Sequence, residues 1–200
     1  PLTAQSPGDP YIEQMTWTEI RDAMATGKTT VIIPTGGTEQ NGPHMVMGKH
    51  NYIITHAAGL IADKLGTALV APTIAWVPEG TYEREGFGDK PGVITNPSPS
   101  YNHLLEAAAR SLESHGFDQI LFIGDSGGNQ NGLEEVMRRI QEQEQMAFGS
   151  DARIDAGLFR ELTRAINVRD VNRSRRRFDY MIVAGHMRLF ATLHLNHAVT

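Results

Sequence analysis

Cysteine does not occur in the 200 residues. Its absence excludes disulfides, thiolate metal sites and a thiol nucleophile, while fitting a reducing or an oxidising compartment equally. Long apolar runs are missing too, none approaching the length that spans a bilayer, so no membrane partner is expected. There is no excess of positive charge: at a net charge of −5 and a pI near 5.9, nothing draws the chain to nucleic acid or anionic lipid. Small neutral or mildly charged substrates remain open. No initiator Met precedes Pro1, which reads as a processed or trimmed end. A soluble protein, cytoplasmic or periplasmic or secreted after processing, is the corresponding expectation. Internal repeats are absent as well.

What is present is a hydrophobic content of 40%, enough for one well-buried domain across residues 1–200 and too little chain for two of ordinary size. The organising stretch is Gln119-Ile120-Leu121-Phe122-Ile123-Gly124-Asp125-Ser126-Gly127-Gly128-Asn129. An apolar run of strand length enters a Gly-rich turn, and Leu133, Val136, Met137 and Ile140 then repeat at helical spacing. Ser126 would sit at the mouth of a helix beyond the C-terminal end of a buried strand, the edge where open α/β sheets bind ligands. Gly124 to Gly128 also satisfies Gly-x-Ser-x-Gly, whose glycines let a serine hydroxyl project and free backbone N–H groups for an oxyanion. The alternative is a tight turn whose serine caps the next helix. The same five letters occur at the nucleophile of chymotrypsin-like proteases, but those domains are all-β and normally disulfide-bearing, whereas this chain alternates strand and helix patterns.

In chain order, residues 1–12 read as a loose, Pro-rich leader. Thr16-Trp17-Thr18-Glu19 has capping-box spacing and starts a short helix through about Ala25, ended by Gly27. Thr30 to Pro34 reads as a strand, a helix follows from about Asn51 to Leu65 with Gly66 as its stop, and Ala68 to Pro72 reads as a second strand. Trp76 to Pro97 is rich in Gly, Pro and charge. A loop of that length is usually functional or mobile, and its Trp76, Tyr82 and Phe87 could wall a substrate pocket, join an oligomer contact or pin the loop to the core. Ser98-Pro99 starts a helix with Tyr101, Leu104, Leu105, Ala108 and Leu112 on its apolar face, closed by a structural His115 and Gly116. The helix after Ser126 fades into the solvated run Gln141 to Gln145. Residues 150–200 are weakly patterned. Leu158 to Ile166 suits a short helix, and Arg173, Arg175, Arg176 and Arg177 form a basic cluster read as a solvated loop. Tyr180 to Ala184 suits a last strand, with His186, His194 and His197 crowding the end. Strand–helix alternation argues a three-layer α/β/α sandwich with a mostly parallel central sheet and right-handed crossovers.

A second chemical locus lies in Thr38 to His50, where one carboxylate, Glu39, and two imidazoles, His44 and His50, share a loop leaving the same sheet edge as Ser126. Such a set can hold a metal or form an acid–base pair.

The chain resembles the creatininase family of amidohydrolases. The likeness rests on Pro34-Thr35-Gly36-Gly37-Thr38-Glu39-Gln40, Gly42-Pro43-His44, Gly48 with the residue two later, Pro91-Gly92 and Gly127-Gly128-Asn129, and covers roughly residues 15 to 140. It implies an α/β/α layered hydrolase, usually with two divalent metals and often hexameric, hence a homo-oligomer acting on a small-molecule ester or amide. Carried over by position, the first family ligand is kept as Glu39, the histidine two residues on is Asn41, the later aspartate is His50, and the histidine of the Asn-Gly-His-Gly-Gly-Asn motif is Ser126. The late His-Ala-Gly-Glu-x-Glu-Thr-Ser motif is not recognisable near His186. Asn and Ser are poor ligands for zinc or manganese, so the expected cofactor is none. A single Zn or Mn on Glu39, His50 and His44 is the alternative.

If the fold is kept, positions 39, 50 and 126 converge. The expectation is then a serine-dependent carboxylesterase or acyl hydrolase: Ser126 as nucleophile, His50 as base and Glu39 orienting the imidazole. Gly127 and Gly128 amides, Asn41 and Trp76 would bind the oxyanion or substrate. His44 and His186 are fallback bases. The alternatives are a creatininase-like metal amidohydrolase cleaving C–N bonds and a non-catalytic relative.

Overall fold

The computed structural model describes residues 9–84, 86–148, 181–186 and 189–194. Its elements are helix α1 (Trp17–Ala25), strand β1 (Thr30–Thr35), α2 (Lys49–Leu65), β2 (Ala68–Val70), α3 (Ser98–Ser114), β3 (Gln119–Gly124), α4 (Gln130–Phe148), β4 (Met181–His186) and β5 (Leu189–His194). The strands form one sheet in the order β2-β1-β3-β4-β5.

Local chemistry explains the boundaries. The Thr16–Glu19 capping box forms reciprocally, the Glu19 amide donating to Thr16 Oγ1 at 3.3 Å and the Thr16 amide to Glu19 Oε2 at 2.7 Å. Gly66 ends α2 in a left-handed conformation with φ 72°, open to glycine without steric cost. Helix α3 starts one residue earlier than its proline suggests, with Pro97 as N-cap and Pro99 inside the first turn. Helix α4 does not fade at Gln141 but runs to Phe148.

Side chains alternate across the strands and build two cores. Val31, Ile33, Leu69, Ile120 and Phe122 face Tyr101, Leu105, Leu133, Val136 and Ile140 of α3 and α4. Ile32, Val70, Leu121 and Ile123 face Ile54, Ala58 and Ala62 of α2. Fully burying each such aliphatic side chain contributes about 1.5–3 kcal/mol before entropy. Helices on both sheet faces make the expected α/β/α layering.

The expected parallel sheet is there in β2, β1 and β3, and antiparallel pairings extend it beyond β3. β1 pairs with β2 and β3 in parallel, while β3–β4 and β4–β5 are antiparallel. Two residues separate β4 from β5, too few for the crossover that a parallel pair requires. The expected 158–166 helix, the arginine cluster at 173–177, Tyr180 and His197 lie outside the described residues. Among those described, no helix is long and apolar enough to cross a membrane.

Candidate functional site

β1 and β3 run in parallel register from Thr30 opposite Gln119 to Thr35 opposite Gly124, so both end at one level. Asp125 follows β3 directly, Glu39 stands four residues beyond β1, and His50 is the second residue of α2. Asn129 locks the two strand exits together: its fully buried side-chain amide donates to the Gly36 carbonyl at 2.7 Å, with longer contacts of 3.3 Å to the Thr35 carbonyl and hydroxyl. Two glycines leave room for incoming side chains. A Cβ at Gly36 would overlap Asn51 Oδ1, which accepts the Gly37 amide at 2.9 Å, and a Cβ at Gly37 would overlap Glu79 Oε1.

The result is a buried cluster of three carboxyls and one imidazole. His50 Nε2 lies 2.7 Å from Glu39 Oε1, and His50 Nδ1 lies 2.9 Å from Asp125 Oδ2. Glu79 arrives from the 71–97 segment, pinned by its amide donating to Thr95 Oγ1 at 3.1 Å, and its carboxyl is hydrogen-bonded to that of Glu39. Burial alone would lower the His50 pKa, yet the hydrogen bonds to Asp125 and Glu39 lift it to about 9. Burial pushes Glu79 up to about 8, reinforced by the charge of Glu39. Glu39 feels the same burial, but its hydrogen bonds to His50 and Glu79 outweigh it and hold the carboxyl below its usual range. Glu39 and Glu79 thus form a carboxyl pair that keeps one proton at neutral pH.

Of Ser126, His50 and Glu39, the structure brings the last two into contact and sets Asp125 on the far side of the imidazole. Glu39 and His50 meet as anticipated, but the second ring nitrogen faces Asp125 instead of Ser126, and among the described residues no hydrogen bond joins Ser126 to His50. A base needs a free lone pair, and both nitrogens are engaged by carboxylates. Ser126 is buried, with φ −100° and ψ 132°, ordinary extended backbone rather than a strained elbow, and its side chain does not cap the following turn. The turn Gly127–Asn129 is 3-10 and leads into α4, with Gly128 letting the Pro78 carbonyl approach.

Asn41 is committed elsewhere: Lys49 Nζ donates to its Oδ1 at 2.7 Å, and its Nδ2 reaches the Glu39 carbonyl at 3.4 Å. Trp76 is 62% exposed, outside the buried cluster. His44 is exposed, and among the described residues no hydrogen bond joins it to Glu39 or His50, the other members of the expected single-metal set. His186 closes β4, opposite Gln119 in the register, at the end of β3 away from Asp125. Sequence reasoning missed Asp125 and Glu79. The first stood in plain view as the variable position of Gly-x-Ser-x-Gly, and the second lay in the flagged loop without any periodic signal.

Whether these residues fit a divalent ion turns on which lone pairs are free. In favour, Asp125 Oδ1 and Glu79 Oε1 are buried without a hydrogen-bond partner. Against it, a zinc site uses three or four protein donors, and both His50 nitrogens and one oxygen each of Glu39 and Asp125 are tied to each other. Among the described residues no group of three His, Cys, Asp or Glu is arranged to hold an ion. As arranged, the residues do not fit the metal.

The fold and these residues can be set beside known proteins. A 33% identical relative over 108 residues is the mycofactocin precursor peptide peptidase of Mycolicibacterium smegmatis, matched over 52% of this chain and 41% of that protein. The creatinine amidohydrolase of Pseudomonas putida is 22% identical over 135 residues, 66% of this chain and 52% of its own. The chain thus spans about half the length of these relatives, or less. Among solved structures, a creatininase variant superposes with a TM-score of 0.63 at 20% identity, covering 76% of this chain and 63% of that one. A manganese form of creatininase gives 0.56 at 22% identity, covering 68% and 54%. The family model for creatininase, creatinine amidohydrolase, matches residues 13–187, and the chain belongs to the creatininase family.

Proposed function

We propose that this chain hydrolyses amide C–N bonds, with the Glu39–Glu79 carboxyl pair as its acid–base machinery. The observation that carries the reading is the pair itself: two buried carboxyls hydrogen-bonded side by side at the strand ends, with burial and the neighbouring charge favouring the proton on Glu79. Ionised Glu39 takes a proton from water, whose oxygen attacks the amide carbonyl carbon. Protonated Glu79 then gives its proton to the nitrogen as the C–N bond breaks, and the proton on Glu39 returns to Glu79 through their hydrogen bond. One water is consumed, and a carboxylic acid and an amine leave. Amines need that proton far more than alcohols do, which suits a raised carboxyl. His50 and Asp125 hold Glu39 in place.

The relatives support amide over ester chemistry, since they are described as an amidohydrolase and a peptide peptidase. The serine esterase reading has no comparable support. Zinc and manganese forms of solved creatininases favour a metal-dependent version of the same reaction. The substrate is proposed to be a small amide or short peptide, with self-association as a further proposal and neither nucleic acid nor membrane as partner.

The purified chain, assayed against small cyclic amides, short peptides and p-nitrophenyl esters with and without EDTA, tests the proposal. Amide turnover that survives a fluorophosphonate supports it. Ester turnover abolished by that probe, with labelling at Ser126, rejects it.

A further inference from the structure

We infer that the His50 imidazole, clamped between Glu39 and Asp125, stands in for a cation and closes this site to divalent metal. The inference concerns what fills the site, independently of which bond the protein cleaves.

Each ring nitrogen sits within 2.9 Å of a carboxylate oxygen, at Glu39 on one side and Asp125 on the other. A neutral imidazole has one N–H, so one of these contacts would set lone pair against lone pair; the doubly protonated ring donates to both. A metal ligand must offer a lone pair, and this ring has none left to offer.

The charges also balance without an ion. Glu39 and Asp125 bring two negative charges, the imidazolium one positive, the proton is favoured on Glu79, and Lys49 supplies the other positive charge, stabilising ionised Glu39 while opposing the imidazolium less than its two carboxylate partners support it. Lys49 also occupies the Asn41 carbonyl oxygen, which removes a further donor. Removing the ring inverts this balance: His50→Asp would leave four carboxyl groups in one buried place, which must then take up protons or a cation.

The test is metal content and metal response of the whole chain. After incubation with Zn²⁺ or Mn²⁺ and desalting, wild type should retain less than about 0.1 ion per chain, and its Tm should move by less than about 1 °C. His50→Asp should lose stability and regain at least about 5 °C when Mn²⁺ is added. Should that variant fail to fold, a proton–nitrogen correlation spectrum of wild type at pH 7 decides, with both His50 ring nitrogens carrying hydrogen. An equivalent of tightly held ion in wild type, a ring nitrogen with a free lone pair, or a folded His50→Asp indifferent to Mn²⁺ each overturns the inference. None of these readouts depends on turnover, so failure here is separable from failure of the amide hydrolase reading.

Discussion

Across α3 and α4, Glu106 pairs with Arg110 and Arg139, and Glu135 with Arg138 and Arg139, at 2.8–3.3 Å. Beneath the strand ends, Glu39, His50 and Asp125 pair at 2.7 and 2.9 Å. The distances are alike and the settings opposite. The helical pairs reach water through their arginines and Glu135, with Glu106 more enclosed, so solvent screens the charges and can replace a lost partner. In the buried cluster desolvation and close neighbours act on the charges directly, so protons redistribute instead: the imidazole is driven up and one carboxyl is favoured in its protonated form. The lesson is that similar ion pairs serve solubility in one place and chemistry in the other.

The largest break in this contrast should come from Asp125→Ala, which strips one side of the His50 clamp and leaves a buried charge uncompensated. A loss of about 3–5 kcal/mol is expected in urea unfolding. Asn129→Ala should cost less, about 1–3 kcal/mol, by freeing the Gly36 carbonyl that the amide now satisfies. Its thermal melt should fall accordingly.

The pH dependence of stability reads the same cluster without mutation. His50, raised to about 9, contributes stability that is complete below about pH 6.5 and is lost as pH climbs through 9. Glu79 keeps in the native state a proton that the unfolded chain releases above about pH 4.5, so it also lowers stability as pH rises, up to about 8. Lowered Glu39 acts oppositely, its contribution being lost only as pH falls below the normal carboxylate range. Tm should therefore decline between pH 6.5 and 9, with a slope of at most about 1.4 kcal/mol per unit for each proton. A flat profile there would erase the distinction between the two clusters. Smallest of all, Glu135→Ala should shift Tm by less than about 2 °C and less still in molar salt.

Much of this arrangement was legible in residue order, and the exceptions share one cause. Ile32 and Val70 alternate with Val31 and Leu69 because a strand has a period of two, and α2 and α3 follow from apolar spacing and their stops. Glu39 and His50 could be placed at one sheet edge because the segment leaving β1 carries both, Glu39 in the connection and His50 in the first turn of α2. Local pattern could not show that Asp125, rather than its neighbour Ser126, turns toward His50, since one residue of rotation after a strand reverses which side chain faces inward. Nor could it show that Glu79 is buried, because that follows from Gly37 lying opposite it across 42 residues of chain. β5 escaped notice because it lies itself in a region of weak pattern, although its partner β4 overlaps the strand expected over Tyr180 to Ala184.

The acid–base pair is tested most directly by comparing Glu79→Gln with Ser126→Ala on an amide substrate. Removing the acidic proton of Glu79 should lower kcat by about 100-fold or more and abolish the alkaline limb near pH 8, while Ser126→Ala should cost less than about 3-fold. Full activity in Glu79→Gln together with an inactive, folded Ser126→Ala would contradict the account.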